Sequence, residues 1–140
     1  MQVKEVMTRR THYVDADASI RETAELMAKN ASGFEPVVRG ERIIGTVTDR
    51  DIALRAVAES RNPDEKISSI VTDAVFYAYE DDDVQEIVRN MQVQQVQRLV
   101  VLNDAENKDL TGIITVGDIA TRCEDGELAM ELVRCTRHYH

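Results

Sequence analysis

Two aspartates stand in equivalent settings. Asp51 lies in Gly45-Thr46-Val47-Thr48-Asp49-Arg50-Asp51-Ile52 and Asp118 in Gly112-Ile113-Ile114-Thr115-Val116-Gly117-Asp118-Ile119. Each copy runs from a glycine through a strand-like pair to a threonine, and the aspartate follows three residues later. The pattern reads as the end of a strand and the start of a helix. A threonine at such a junction can cap the first free amides of the helix. Those amides, with the helix dipole, also suit a phosphate. The aspartate, a turn further on, could accept from a sugar hydroxyl. A purely local reading stands beside this one: Thr48 and Thr115 as helix caps, Asp51 and Asp118 as acceptors for first-turn amides.

Other reactive residues carry less. Glu80 with Asp81, Asp82 and Asp83 could hold a hard cation, but adjacent carboxylates opening a helix read first as cap and dipole partners, and the spacing is not that of an EF-hand loop. Cys135, His138 and His140 could ligate zinc, yet they crowd into the last six residues with no fourth ligand at a suitable spacing. His12, on a short strand, reads as a packing or surface residue. No nucleophile, base and orienting group assemble. The chain is therefore expected to be no enzyme, with no metal site and no required cofactor.

The elements that must position the two motifs also come in two copies. Val3, Val6 and Met7 sit at helical spacing, and Thr8-Arg9-Arg10 is expected to lead outward from that short turn. A strand at His12-Tyr13-Val14 follows. Ser19-Ile20-Arg21-Glu22 has the capping-box pattern of a helix start, and Ile20, Thr23, Ala24, Met27 and Ala28 give its apolar face. Pro36-Val37-Val38 reads as a strand with its proline at the beginning, where a missing N–H is tolerated. Ile43 to Thr48 completes a hairpin, and Asp49 to Glu59 a helix apolar on most sides. After the polar linker Ser60-Arg61-Asn62-Pro63-Asp64 the pattern restarts. Ile67 and Ile70-Val71 repeat Val3 and Val6-Met7, while Val84, Val88 and Met91 match Ile20, Ala24 and Met27. Glu127 to Arg137 adds a helix outside the repeat, with Leu128, Leu132 and Cys135 on one stripe. The expected fold is thus α/β (α+β): tandem units at 1–62 and 63–123, each a small, mostly antiparallel sheet with helices, paired through their sheets about a pseudo-twofold, then a helix and tail at 124–140.

Composition limits the function classes. The 140 residues have room for a core without disulfides or metal, and 43% are hydrophobic and 31% charged, with no tryptophan. The formal net charge of −9 argues against nucleic acid and membrane surfaces as partners. Residues 1–65 hold 10 Lys/Arg against 12 Asp/Glu, and residues 66–140 hold 7 against 14, so the halves carry −2 and −7. The N-terminal residues do not form a signal peptide, and no apolar run approaches the roughly 20 residues of a membrane span. Cys123 and Cys135, without a CxxC pair, fit free thiols in a reducing compartment. Together these place the chain in the cytoplasm.

Over about residues 2–123 the chain resembles a tandem pair of cystathionine β-synthase (CBS) domains. The shared features are Val6-Met7-Thr8 and, more loosely, Ile70-Val71-Thr72; an Ala-x-x-x-Met helix; Pro36-Val37-Val38; and the two Gly-x-x-Thr-x-x-Asp stretches. The second copy has Leu99-Val100-Val101 in place of the proline strand, and neither copy has the proline often found just past the leading threonine. The resemblance implies clefts for an adenosine-containing ligand such as AMP, ADP, ATP or S-adenosylmethionine. Asp51 and Asp118 would accept from ribose hydroxyls, and Thr48 and Thr115 would hydrogen-bond a phosphate or ribose. Backbone around Thr8-Arg9 and Thr72-Asp73 would border the base edge. Arg50 would add charge near a phosphate, and because its counterpart is Gly117 the first site is expected to prefer charged phosphates. The apolar Asp49 to Glu59 helix implies a homodimer, unless the terminal helix covers it within one chain. The function expected is a stand-alone regulatory module with a possible regulated protein partner. The alternative is a ligand-independent dimerisation or adaptor protein.

Overall fold

Local capping starts most of the helices, and it does so where the sequence places it. In the computed structural model, which describes residues 1–10 and 12–136, the Ser19 hydroxyl accepts from Glu22 N at 2.9 Å and opens α2 (Ile20–Asn30). Asp83 accepts from Gln85 N at 3.0 Å and opens α4 (Val84–Gln94). These two helices end alike, on the left-handed residues Ala31 and Gln95. Asp82 accepts from Tyr79 N, Asp81 pairs with Lys4 at 2.7 Å, and Glu80 pairs with Arg9 at 3.0 Å. Each carboxylate of that acidic run therefore has a structural partner.

The chain forms two compact units, and only one of them is continuous in sequence. One comprises His12–Val75; the other comprises Met1–Thr11 with Phe76–His140. The repeat at 1–62 and 63–123 follows periodicity, whereas the units follow packing, and the two divisions differ by the segment that leads each copy.

In the His12–Val75 unit the sheet order is β2 (Val14–Asp15), β3 (Phe34–Arg39), β4 (Arg42–Thr48). β2 runs parallel to β3, and β3 antiparallel to β4. Beyond β4, Thr72 makes a single antiparallel bridge to Thr46, with N–H···O bonds of 3.0 Å in both directions. In the other unit the order is β1 (Thr8–Arg9), β7 (Leu110–Thr115), β6 (Arg98–Leu102), β5 (Tyr77–Tyr79). The two sheets thus share one plan. In each, the edge next to the motif strand comes from the segment that leads the other copy of the repeat. Thr8-Arg9 accordingly does not lead outward: it pairs with Ile113 and Gly112, and Arg10 N donates to Thr111 O at 3.1 Å.

Pro36 is the third residue of β3 rather than the first. It faces Thr46, whose N–H points away to Thr72, and the β2 ladder begins one residue later at Val14–Val37. The ladder asks no N–H of residue 36, so a proline fits inside the strand.

The cores follow the apolar stripes. Ile20, Met27, Val37, Val47, Ala56, Ile67 and Ile70 form one cluster. Val3, Val6, Met7, Val84, Ile87, Val88, Met91, Leu99, Val101, Ile114 and Ile119 form the other. The terminal helix α6 (Gly126–Cys135) packs on α4 and on α5 (Val116–Arg122), burying Leu128, Leu132 and Cys135 in the second cluster. The Asp49 to Glu59 helix is α-helical only at α3 (Asp49–Asp51) and continues as a π-helix over Ile52–Val57. Its amide bonds there span five residues, Ala58 N to Ala53 O and Arg61 N to Ala56 O, both 2.9 Å. No helix among the described residues is long and apolar enough to cross a membrane. His138 and His140, weighed with Cys135 as zinc ligands and set aside, lie outside the described residues.

Candidate functional site

Each motif closes on itself in the same way. The Thr48 hydroxyl accepts from Asp51 N at 3.0 Å while Thr48 N donates to Asp51 Oδ2 at 2.9 Å. Thr115 and Asp118 repeat both bonds at 3.0 and 2.9 Å. These are reciprocal capping boxes, with aspartate in the place glutamate usually takes. The local reading of the four residues is therefore real. It uses one carboxylate oxygen of each aspartate and leaves Oδ1 for something else. All four side chains are partly exposed, so a solute can reach them.

What sits beside Oδ1 differs between the units. In the second motif Thr8 Oγ1 donates to Asp118 Oδ1 at 3.1 Å, joining residues 110 apart in sequence. In the first motif the equivalent threonine, Thr72, accepts from Arg55 Nη1 at 3.4 Å, and no hydrogen bond among the described residues reaches Asp51 Oδ1. Arg50 is exposed, and its backbone N–H donates to Asp49 Oδ1 at 2.8 Å. The structure thus brings Thr8 to Thr115 and Asp118, and it brings Thr72 to the strand that carries Thr48 and to Arg55 one turn past Asp51.

Gly45 and Gly112 explain how the leading segments come so close. A Cβ on Gly45 would stand 2.3 Å from Val71 Cγ1 and 2.4 Å from Thr72 O. On Gly112 it would stand 2.4 Å from Thr8 O. The glycine opening each motif is a crossing point, where backbone approaches too near for any side chain. Sequence reasoning treated it as a marker of the motif and missed this role. It also missed that Asp-Ile-Ala-x-Arg follows each threonine, at 51–55 and 118–122. That run was there to be read in the repeat. Arg122 Nη1 donates to the Glu5 carbonyl, so both arginines reach toward the segment that crosses their own motif.

Charge distributes by unit and not by half. His12–Val75 carries 8 Lys/Arg against 12 Asp/Glu, and Met1–Thr11 with Phe76–His140 carries 9 against 14. The contrast of −2 with −7 between the halves becomes −4 with −5, because Lys4, Glu5, Arg9 and Arg10, together +2, belong with the second motif.

Fold and motif together define a class of protein, a duplicated α/β module in which each copy presents a capped aspartate beside a crossing strand segment. The family model of the CBS domain matches residues 3–57 and 67–125, and the chain belongs to the CBS-domain family. It is similar to the YlbB protein of Bacillus subtilis (strain 168), with 34% identity over 130 residues that cover 91% of this chain and 86% of that one. Among solved structures it is similar to the CBS domain protein PAE2072 from Pyrobaculum aerophilum in its complex with AMP. The identity is 26% and the TM-score 0.78, over 95% of this chain and 98% of that chain. It is also similar to the CBS domain pair of protein MJ0100 in complex with 5′-methylthioadenosine and S-adenosyl-L-methionine. There the identity is 25% and the TM-score 0.77, over 87% and 94% of the two chains.

Proposed function

We propose that this chain is a regulatory module that binds an adenosine-containing ligand, of the AMP, ADP, ATP or S-adenosylmethionine type, and acts by binding rather than by a chemical step. One observation carries the reading. Each Thr-x-x-Asp capping box engages only Oδ2 of its aspartate; Asp118 Oδ1 accepts from a hydroxyl, that of Thr8 on the crossing segment, and no hydrogen bond among the described residues reaches Asp51 Oδ1. An acceptor of that kind suits a ribose hydroxyl. The complexes of PAE2072 and of the MJ0100 CBS pair with adenosine derivatives support the same ligand class. On this reading Thr48, Asp51, Thr72 and the charge of Arg50 form one site, and Thr8, Thr115 and Asp118 form another. Ligand shifts the module between states only by its difference in affinity for them.

A homodimer in the cytoplasm is part of the proposal. Leu54 and Val57, on the helix after the first motif, are 50% and 73% exposed, and the terminal helix α6 is packed on α4 and α5. The same exposure favours the second reading, a dimerisation or adaptor protein that needs no ligand.

A thermal-shift panel of AMP, ADP, ATP, S-adenosylmethionine and NAD separates the two. Binding raises Tm with ligand concentration, the stabilisation reaching about 2.7 kcal/mol at roughly a hundredfold over Kd. Asp51→Ala or Asp118→Ala abolishes the part of the shift that its own site contributes. A flat response to all five compounds by folded protein sinks the ligand reading and leaves the adaptor.

A further inference from the structure

The repeated Asp-Ile-Ala-x-Arg runs use the same letters for different contacts. In the second motif everything is engaged. Asp118 Oδ2 accepts from Thr115 N, Asp118 Oδ1 accepts from Thr8 Oγ1, and Arg122 is fixed on the Glu5 carbonyl. In the first motif Asp51 Oδ1 is open among the described residues, and the hydrogen bond of the Arg55 guanidinium is a 3.4 Å contact with the Thr72 hydroxyl. That distance is at the weak limit for a hydrogen bond. The winding differs as well. The chain from Ile52 to Val57 is a π-helix, whereas α5 is α-helical throughout. π-Helical turns are rare and recur at functional sites.

We propose that the first motif is the site for a phosphorylated adenosine ligand, with Arg55 as the residue that selects the phosphate, while Thr8 holds the Asp118 site shut. The inference rests on the adenosine-ligand reading and assigns its two sites unequal roles. Asp51 and Arg55 are four residues apart, close to one turn of the π-helical segment, and so share a helix face. A ribose 5′-phosphate spans such a gap, with its hydroxyls on the carboxylate and its phosphate on the guanidinium. Arginine suits that partner because its planar fork pairs bidentately with phosphate oxygens. Arg50 precedes Asp51 directly, and neighbours in sequence leave a helix on different faces; it adds field rather than contact. Turning Arg55 away from Thr72 gives up a weak bond. Freeing Asp118 Oδ1 gives up a 3.1 Å bond to a carboxylate, a loss of about tenfold in affinity for any ligand that needs that oxygen.

Titration calorimetry of the full chain with AMP and with adenosine tests this, with melting curves to confirm that each variant is folded. The wild type binds one AMP per chain, and adenosine at least about tenfold more weakly. Arg55→Gln brings the AMP-to-adenosine affinity ratio close to one. Asp51→Ala removes AMP binding, and Asp118→Ala leaves it in place. Thr8→Val adds a second equivalent of ligand per chain. An unchanged affinity ratio in Arg55→Gln overturns the role of Arg55. Loss of AMP in Asp118→Ala with retention in Asp51→Ala overturns the site assignment, and a stoichiometry still of one in Thr8→Val overturns the latch. If the wild type takes up neither probe, the adenosine reading itself has failed, and this inference with it.

Discussion

The helix after Thr48 and the helix after Thr115 begin from the same capping box, and within one residue they part. Ile119 is fully buried, in a cluster with Val3, Val6 and Met7 from the leading segment and with Leu128, Leu132 and Cys135 from α6. Its counterpart Ile52 is only partly buried, at the margin of the other core, and Leu54 and Val57 beyond it face solvent. The difference lies in what covers the helix. α6 packs on α5 and completes the burial of Ile119, whereas Ile52 keeps part of its surface on a helix that winds as a π-helix; Leu54 and Val57 stand where the second copy has the exposed Thr121 and Glu124. Identical letters in a repeat therefore fix the start of an element but not its burial, which depends on a partner outside the repeat.

The largest expected effect tests that contrast directly. Ile119→Ala removes a fully buried side chain and should cost about 4 kcal/mol, within the range for isoleucine truncation in a core. Ile52→Ala, partly exposed before the change, should cost about 1 kcal/mol because less apolar area leaves the interior. Urea midpoints at constant m read both values. Equal costs would mean that α6 does not make the distinction. A variant with Leu128 and Leu132 both changed to alanine, which should bring the Ile119→Ala penalty down toward that of Ile52→Ala, would then locate the fault.

The two crossing points come next. Gly45→Ala places a methyl within 2.4 Å of the Thr72 carbonyl and 2.3 Å of Val71 Cγ1, so the backbone must shift, at a cost of about 3 kcal/mol. Gly112→Ala meets the Thr8 carbonyl equally closely. There the methyl lacks the second clash that Val71 adds at Gly45, and the cost is about 2 kcal/mol. The second variant should also release Thr8 from Asp118, which the first cannot do. Amide exchange at Ile113 and at Thr46, compared between the two variants, reports which crossing has opened; exchange that rises at both sites in both variants would deny that the crossings are separate.

These glycines also mark where the sequence stopped being legible. Ser19, Thr48, Asp83 and Thr115 could be placed as caps from the chain alone because a cap and its amide lie two or three residues apart. The apolar faces of α2 and α4 could be read from their period for the same reason. Thr8 and Asp118 are 110 residues apart, and periodicity says that two copies exist without saying which copy receives a given edge segment. The assumption that each copy keeps its own leader sent Thr8-Arg9-Arg10 outward. It also made the first half nearly neutral and the second strongly acidic, a contrast that disappears once Lys4, Glu5, Arg9 and Arg10, together +2, are counted with the second motif. A glycine inside a strand pattern signals close approach of another backbone, and two of them at matched positions were the trace of the exchange.

The smallest effect separates the hairpin connections. β3 turns into β4 through Gly40 and Glu41, with Gly40 at φ +65°, a tight turn that glycine supports by its backbone alone. β6 turns into β7 through Asn103 to Asp109, and here a carboxylate does the work. Asp104 accepts from Asn107 N at 2.7 Å, Glu106 N at 3.0 Å and Asn107 Nδ2 at 3.1 Å. The Asn107 bonds, backbone first, hold its carboxyl below the ordinary carboxylate range. A group depressed on folding contributes stability that is complete above its unfolded value, near 4, and is lost as pH falls through the folded value. Acidification from about pH 7 toward about pH 2 should therefore loosen residues 103–109 while the turn at Gly40 keeps its amide shifts, as two-dimensional amide NMR would show. Asp104→Asn should produce the loosened spectrum already at neutral pH, because an amide offers one uncharged acceptor oxygen where the carboxylate uses both of its oxygens. Equal acid-induced change at both connections would instead assign the effect to the protein's net charge, which is negative in both units and falls in both as carboxylates protonate.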